Sequence, residues 1–377
     1  MKDSFLLAEV IQTPERLSGL RLSDWNLLIR QARYTGLLGK LYQLTLGLDI
    51  SSDILEKIIP HLLSTQIIVN KQRDGLHCEL VKLPPIFEDI NIPLILLKGG
   101  AYYALGLPFS ASRMLSDIDL LVPKQALPRV EAALAVQGWQ SQSKDAYDEH
   151  YYREWMHEIP PLVHRKRKSV LDVHHTILPP TTKYNPDPEK IMAAAREVSP
   201  GIWTLCPEDL VIHSATHLFH DGELEHGLRD LVDIHELLQY FAENEAGFWA
   251  RLVPRAIELD LLLPLYYGLH YAQAILNTAI PESVMQHVTQ GAPNKMMRPL
   301  MDWLFLRALR SAHSSCDLFG SGFARWILYV RSHYLRMPLT LLIPHLLRKA
   351  WKRRFKDKAE APNEFLGGAP TDREPLV

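Results

Sequence analysis

The residue types with the clearest chemistry lie in the segment 94–122, where one apolar residue separates two aspartates. Asp117 and Asp119 flank Ile118 in a run that predicts a buried strand. Side chains two residues apart share one face of a strand, so both carboxylates are expected side by side while Ile118 enters the core. Neighbouring carboxylates repel each other unless a cation lies between them. Such a pair suits Mg²⁺, which leaves part of its coordination shell to substrate phosphates.

A glycine pair precedes the aspartates. Residues Leu94 to Leu97 predict a short buried strand, Gly99 and Gly100 predict a turn, and a short helix is expected from about Ala101. Bare backbone amides and a helix N-terminus both favour a bound phosphate. The segment therefore predicts a metal half and a phosphate half of one nucleoside triphosphate site.

Together these residues resemble the polymerase-β-like nucleotidyltransferases, whose signature is Gly-Gly followed by Asp, an apolar residue and Asp. They are similar to a bacterial branch known as an uncharacterised nucleotidyltransferase family. In this chain the gap between Gly100 and Asp117 is longer than in the commonest members, and Gly100 stands where many carry serine. The residues that carry the resemblance are Lys98, Gly99, Gly100, Arg113 and the run from Ser116 to Val122.

A third carboxylate lies further along the chain. Asp172 stands between apolar neighbours in a predicted strand, where burial of an acid is costly unless it is paired or bound to metal. In the resembled family the third metal-binding acid comes from a later strand and is often followed closely by histidine. Asp172, followed by His174 and His175, matches that position. Should Asp172 be a structural acid, Glu158 is the next candidate.

The resemblance implies an α+β fold: a small mixed sheet with helices, flanked by N-terminal and C-terminal helical regions. It implies transfer of a nucleoside monophosphate from an NTP such as ATP to an acceptor hydroxyl or phosphate on a small molecule, a sugar or a protein. The cofactor would be Mg²⁺, with Mn²⁺ as the alternative. The implied catalytic and metal-binding residues are Asp117, Asp119 and Asp172; the implied nucleotide-binding residues are Lys98, Gly99, Gly100, Arg113 and Ser116.

Two other functions stay open at this point. One is an inactive nucleotide-binding scaffold, although a site that has lost its activity is expected to lose such costly charges. The other is an antitoxin-like regulator that nucleotidylates a partner protein. Lys98 and Arg113 are also ambiguous, because each can neutralise a phosphate or pair with an aspartate.

A histidine-rich helix is predicted after Pro207, with His213 and His217 four residues apart and His220-Asp221 following. This spacing suits zinc, but the glutamate of a metalloprotease helix is missing between the two histidines. The order of His and Asp is also found in metal-dependent phosphohydrolases. The resembled family carries a similar helix followed by an element matching Leu228 to Asp233, which favours a helical cap over a second catalytic site.

Composition restricts the class of protein. An apolar fraction of 47% and a charged fraction of 22% are typical of a globular protein, and a net charge of -2 argues against general nucleic-acid binding. The three cysteines are widely scattered and form no metal-binding spacing. Neither a secretory signal nor a run of roughly 20 apolar residues is recognised, so a cytoplasmic protein is expected.

Four regions are predicted along the chain: an N-terminal helical region over 1–85 closed by Pro84-Pro85, a nucleotidyltransferase core over 86–206, a C-terminal helical domain over 207–358, and a disordered tail over 359–377. Within the core, a hairpin with a basic tip at 165–168 is expected, followed by a short helix around 191–197. The basic C-terminal helix is expected to end in solvent, with contact to an anionic membrane surface as the alternative.

Overall fold

Four helices precede the sheet in chain order. The structure, a computed structural model, describes residues 5–142, 152–153, 155–220 and 224–336. Trp25, Leu28 and Ala32 recur at helical spacing and are fully buried, which explains why the first of the longer helices forms. The N-terminal helices are α1 (Leu6–Gln12), α2 (Leu22–Tyr34), α3 (Leu38–Thr45) and α4 (Ser52–Asp89).

Helix α4 passes through the proline pair that the sequence analysis placed at its end. That expectation is wrong, because the helix continues through Pro84 and Pro85 to Asp89. Proline removes an amide hydrogen bond and favours a kink or an end. Here Leu83 and Phe87, on either side of the pair, are buried in the core. Tertiary packing therefore outweighs the local preference, and the N-terminal helical region leads into the sheet without a break at residue 85.

A seven-stranded mixed sheet forms the centre of the fold, with the order β3-β4-β5-β2-β1-β7-β6. The pairs β2–β5 and β1–β7 are parallel, while the other neighbours are antiparallel. This mixed sheet with helices agrees with the predicted α+β class. The strands are β1 (Leu94–Leu96), β2 (Ile118–Leu121), β3 (Trp139–Ser141), β4 (Leu162–His164), β5 (Val170–His174), β6 (Arg196–Ser199) and β7 (Ile202–Thr204).

The connection from β1 to β2 carries most of the predicted site. Helix α5 (Lys98–Ala104) begins directly after β1, so Gly99 and Gly100 form its first turn rather than a separate turn before it. A 3-10 helix at Pro108–Ser112 then leads back to β2. Since β1 and β2 are antiparallel neighbours, the start of α5 lies beside the start of β2.

Two parts of the core differ in how well the sequence predicted them. The hairpin β4–β5 is confirmed, and its tip is exposed while Arg167 binds the buried Glu79 of α4 at 2.6 Å. The short helix expected around 191–197 is displaced: α7 (Pro188–Ala193) ends earlier, and Arg196–Ser199 is strand β6. Pairing with β7 accounts for this, because the hairpin extends the sheet beside β1. The helix between β2 and β3 is α6 (Leu127–Val136).

The regular elements found after β7 in the described residues, up to 220 and over 224–336, are helices, as predicted. Buried apolar side chains from α1 to the last described helix belong to one core cluster. The domain boundaries at 85 and 206 remain predictions. None of the helices in the described ranges combines the length and apolar character that a membrane span requires. The basic segment beyond 336 and the tail over 359–377 lie outside the described residues. These helices are α8 (Pro207–His220), α9 (Gly227–Asn244), α10 (Phe248–Glu258), α11 (Leu262–Leu276), α12 (Glu282–Val288), α13 (Met297–Ala308) and α14 (Ser321–Arg336).

Candidate active site

Two of the predicted carboxylates meet across neighbouring strands. Strands β2 and β5 are parallel, and their register pairs Asp119 with Asp172. Residues paired in register point to the same face of a sheet, so the two side chains lie beside each other. The sequence predicts that Asp117 lies within strand β2. The strand begins at Ile118, so Asp117 lies just before it. Ile118 is buried, as predicted.

Asp119 is a buried carboxylate with two hydrogen-bonding neighbours, the ammonium of Lys98 and the ring of His174. Its Oδ1 accepts a hydrogen bond from Nζ of Lys98 at 3.1 Å and contacts Nε2 of His174 at 2.9 Å. Burial alone would raise the pKa of Asp119, but Lys98 and His174 outweigh burial and hold this pKa well below its usual range. Asp119 is therefore ionised, and Lys98 pairs with an aspartate, one of the two roles the sequence left open.

Lys98 itself has an unusual backbone. Its φ is 44°, in the left-handed region that side chains other than glycine rarely adopt. This conformation lies at the junction of β1 and α5, where the chain turns sharply from the sheet into the helix. The strain of about 1–2 kcal/mol expected for a lysine there is offset by its ion pair with buried Asp119.

Asp172 has the opposite electrostatic state. Its Oδ1 is buried and finds no hydrogen-bond partner among the residues that the structure describes. Burial raises the pKa of Asp172 to about 7, and the carboxylates of Asp119 and Glu158 act in the same direction. The sheet therefore places an ionised acid next to one that is half protonated near neutral pH.

A cavity of about 170 Å³ opens beside Asp119. Gly99 contributes to its wall, whereas Gly100 lies against the apolar side chains of Leu96 and Ile118. Ser116 donates a hydrogen bond to Oδ1 of Asp117 at 2.9 Å at the rim. Six of the eight predicted site residues line the cavity, and Asp172 and Gly100 are not among the lining residues that the structure describes. The full lining consists of Lys98, Gly99, Tyr102, Arg113, Met114, Leu115, Ser116, Asp117, Asp119, Ser214, His217, Arg229, Asp230 and Asp233.

The far wall of the cavity comes from the C-terminal helices. Nε of Arg113 donates to Oδ2 of Asp233 at 2.7 Å, and both side chains are largely buried. The Arg113 guanidinium also lies over the ring of Tyr102, whose hydroxyl is 2.6 Å from Oγ of Ser214. Sequence reasoning missed the pair Arg113–Asp233, although both residues were part of motifs that the resemblance had singled out. Arg113 thus joins the core to the C-terminal helices.

The histidines of α8 have different surroundings. His217 lines the cavity, while His213 and His220 are buried. Among the described residues, His213 and His217 do not belong to a group of three metal-ligating side chains. Asp221, which the phosphohydrolase hypothesis requires, lies outside the described residues. The arrangement favours the interpretation of α8 as part of a helical cap over the site.

Comparison with known proteins assigns the chain to a family. A family model described as "Uncharacterised nucleotidyltransferase" matches residues 22–277, more than half of the 377-residue chain. The chain therefore belongs to this nucleotidyltransferase family, and the predicted enzyme class is confirmed. No curated protein and no solved structure matches the chain.

The ion pair Arg113–Asp233 generates a stability prediction. Asp233→Asn leaves the buried Arg113 guanidinium without its anionic partner, and the free energy of unfolding is expected to fall by about 3–5 kcal/mol. Denaturant unfolding measures the change. Glu245→Gln, which breaks the more exposed pair with Arg196, is the control and should cost no more than about 1 kcal/mol. Equal losses in the two variants would contradict a joining role for Arg113.

Asp172 generates a pH prediction for the metal-free protein. Its pKa rises from an ordinary value of 3.8 to about 7 on folding, so the folded state binds more protons in between. The free energy of unfolding then falls with rising pH across this window, by up to about 1.4 kcal/mol per pH unit. Asp172→Asn removes this contribution. Measured in EDTA, the variant should gain stability relative to wild type between pH 4 and 7 and hold that gain above; a constant difference would refute the raised pKa.

Proposed function

We propose that this nucleotidyltransferase moves a nucleoside monophosphate from an NTP to an acceptor hydroxyl or phosphate with the help of Mg²⁺. One observation carries the proposal. Asp119 and Asp172 stand in register on adjacent parallel strands, and a buried carboxylate oxygen of Asp172 lacks a hydrogen-bond partner among the described residues. A buried acceptor without a partner is costly, and a cation bound beside it would remove that cost.

The types of the three predicted acids suit a hard divalent cation. Asp117, Asp119 and Asp172 offer carboxylate oxygens, the ligands that Mg²⁺ prefers, and Mn²⁺ is the alternative. Mg²⁺ bound there would neutralise charge on the triphosphate and stabilise the charge that develops during transfer. Asp117 faces the cavity, while Asp119 and Asp172 are fixed by strand pairing. Among the described residues the three carboxylates are not a group whose ligand atoms lie within 4.8 Å of one another. The proposal therefore rests on two acids paired on the sheet and one at the cavity rim, not on a preformed set of three ligands.

Asp172 is suited to handle the proton of the acceptor. A general base works best when its pKa lies near the working pH, and the pKa of Asp172 is about 7 in the metal-free protein. A Mg²⁺ ion bound to one carboxylate oxygen of Asp172 would lower this pKa and favour the ionised form that accepts a proton. Asp119 is held ionised by Lys98 and His174 and is a poor proton acceptor. We therefore assign proton transfer to Asp172 and charge stabilisation to Asp119.

Phosphate binding is assigned to the start of α5 and the segment before β2. Gly99 lets the backbone approach the ligand, and Lys98 supplies donors at the cavity wall. The hydroxyl of Ser116, which donates to Asp117, would turn toward a bound phosphate. Arg113 lines the same wall but is bound to Asp233, so we assign it to positioning the wall. The cavity is below the roughly 300 Å³ typical of whole-ligand sites. We infer that it takes the phosphates, with the nucleoside toward its open side.

The acceptor is to be found by experiment. Incubation of the protein with each labelled NTP and a lysate of its own cell would show whether label moves to a small molecule, a sugar or a protein. Label on a protein would favour the antitoxin-like regulator among the transferase functions. If the protein binds NTP but transfers label to no acceptor, the inactive nucleotide-binding scaffold is favoured and the proposed activity is overturned.

The carboxylates are expected to divide the labour in a measurable way. Asp172→Asn keeps the shape but removes the base and one carboxylate ligand. NTP binding should survive through Asp117 and Asp119, while turnover falls by about 10²–10⁴-fold or more. Asp117→Asn should instead weaken the metal-dependent binding of NTP itself. In wild type, Mg²⁺ with NTP at a hundredfold its Kd should stabilise the fold by about 2.7 kcal/mol.

Thermal shift and a transfer assay on the two variants make this comparison. Asp53→Asn, at an exposed position of α4, is the matched control and should behave as wild type in both assays. Near-normal turnover by Asp172→Asn would show that Asp172 is a structural acid. Equal stabilisation of wild type by NTP with and without the metal would rule out the carboxylate site.

The two glycines provide a second matched pair. A Cβ at Gly99 would meet the side chain of Leu115 and come within 2.6 Å of Nη1 of Arg113, whereas a Cβ at Gly100 meets nothing closer than 3.7 Å. Gly99→Ala is therefore expected to displace the cavity wall and to weaken NTP binding. Gly100→Ala should leave binding unchanged and stabilise α5 by up to about 1 kcal/mol. Isothermal titration calorimetry with NTP measures both affinities. If the two variants bind NTP equally well, Gly99 is not part of the phosphate site.

A further inference from the structure

A second group of ligand-type side chains lies next to the carboxylate site. Ligand atoms of His157, Glu158 and His174 lie within 4.8 Å of one another. The backbone fixes this group, because Glu158 forms a bridge with His174 and the carbonyl of His157 accepts the amide of His175 at 2.9 Å. The segment before β4 thereby runs antiparallel to the end of β5 and holds two of the three side chains against the third.

The hydrogen bond from His174 to Asp119 determines which ring nitrogen faces the group. A carboxylate accepts, so Nε2 of His174 carries the hydrogen in its 2.9 Å contact with Asp119. The other nitrogen, Nδ1, lies 3.5 Å from Oε2 of Glu158. Metal-binding histidines almost always donate their second ring N–H to a carboxylate or carbonyl in this way.

The separation of 3.5 Å is informative. Charge-assisted hydrogen bonds between nitrogen and carboxylate are about 2.7–2.9 Å long. Two ligand atoms about 2.1 Å from a tetrahedral metal ion are instead about 3.4 Å apart. Nδ1 of His174 and Oε2 of Glu158 have the second spacing. The two atoms are therefore too far apart for a short hydrogen bond and have the separation of two ligands of one ion.

His157 supplies an independent sign of a missing partner. Its Nδ1 is buried and makes no hydrogen bond within the described part of the chain. Its ring centroid is 5.1 Å from that of His174, at an angle of 32°. Burial lowers the pKa of His157 well below its ordinary value, so the ring is neutral and offers a lone pair. A neutral imidazole with an unused buried nitrogen is the usual protein ligand of a transition metal.

We propose that His157, Glu158 and His174 bind one divalent transition-metal ion of the zinc class, at a site separate from the Mg²⁺ carboxylates. Two imidazoles and one carboxylate suit Zn²⁺ better than Mg²⁺, which prefers oxygen ligands. The ion would fix the ring of His174 and, through its N–H, the carboxylate of Asp119. His157 and Glu158 are then positioning residues. This inference does not depend on nucleotide transfer.

Metal binding to the full-length protein tests the proposal directly. The tag is removed, the metal content is measured, and the metal-free protein is titrated with Zn²⁺ and with Co²⁺, whose visible absorption reports tetrahedral nitrogen and oxygen ligands. About one ion per chain is expected, retained in an excess of Mg²⁺. His157→Ala and Glu158→Gln should each weaken binding by about 100-fold or more. His61→Ala, at an exposed position of α4, should bind as wild type.

Other outcomes overturn the proposal. Wild-type protein that binds neither Zn²⁺ nor Co²⁺ would show that a proton on Nδ1 of His174 faces Glu158 instead of a metal. Unchanged binding by His157→Ala and Glu158→Gln would place any bound ion elsewhere. Circular dichroism shows whether the variants fold; if they do not, the wild-type titration still decides, because failure to bind one ion per chain is sufficient to reject the site.

Discussion

Buried negative charge at the paired ends of β2 and β5 is the constraint on which the site depends. The register brings Asp119 beside Asp172, and two adjacent acids cannot both ionise in a partly buried place without cations. Lys98 and His174 both contact Asp119 and favour its ionised form. Asp119 is consequently ionised, while the pKa of Asp172 rises to about 7. The acids differ because Lys98 and His174 contact Oδ1 of Asp119 directly, whereas Oδ1 of Asp172 has no hydrogen-bond partner among the described residues.

The same constraint explains the local backbone. Lys98 is the first residue of α5 and has a positive φ. Its side chain reaches Asp119 because α5 follows β1 directly and β1 is paired with β2. On the other side, Arg113 leaves the segment before β2 to bind Asp233 of α9. The site is therefore assembled from a strand–helix–strand unit closed by a distant helix. Helix α9 lines the cavity with Arg229, Asp230 and Asp233, and the pair Arg113–Asp233 joins it to the segment before β2.

Local pattern was sufficient to predict the elements that carry the acids, but not their partners. The alternation around Ile118 and the apolar run around Asp172 indicate strands, and both are found, with Asp117 displaced to just before its strand. The pair Arg113–Asp233 joins residues 120 positions apart, and no periodicity encodes such a contact. Proline preference likewise misplaced the end of α4, because burial of Phe87 depends on the tertiary fold.

A site that binds a cation must also fold without it. If Asp117, Asp119 and Asp172 depended on Mg²⁺ alone for compensation, their repulsion would oppose folding whenever the metal was absent. Contacts within the protein remove this dependence: Lys98 and His174 hold Asp119 ionised, and Asp172 becomes protonated at lower pH instead of repelling it. A metal ion bound at the proposed site would displace a proton from Asp172 without rearranging the strands. The strand register, fixed by backbone hydrogen bonds, is what keeps the ligands in place between these two states.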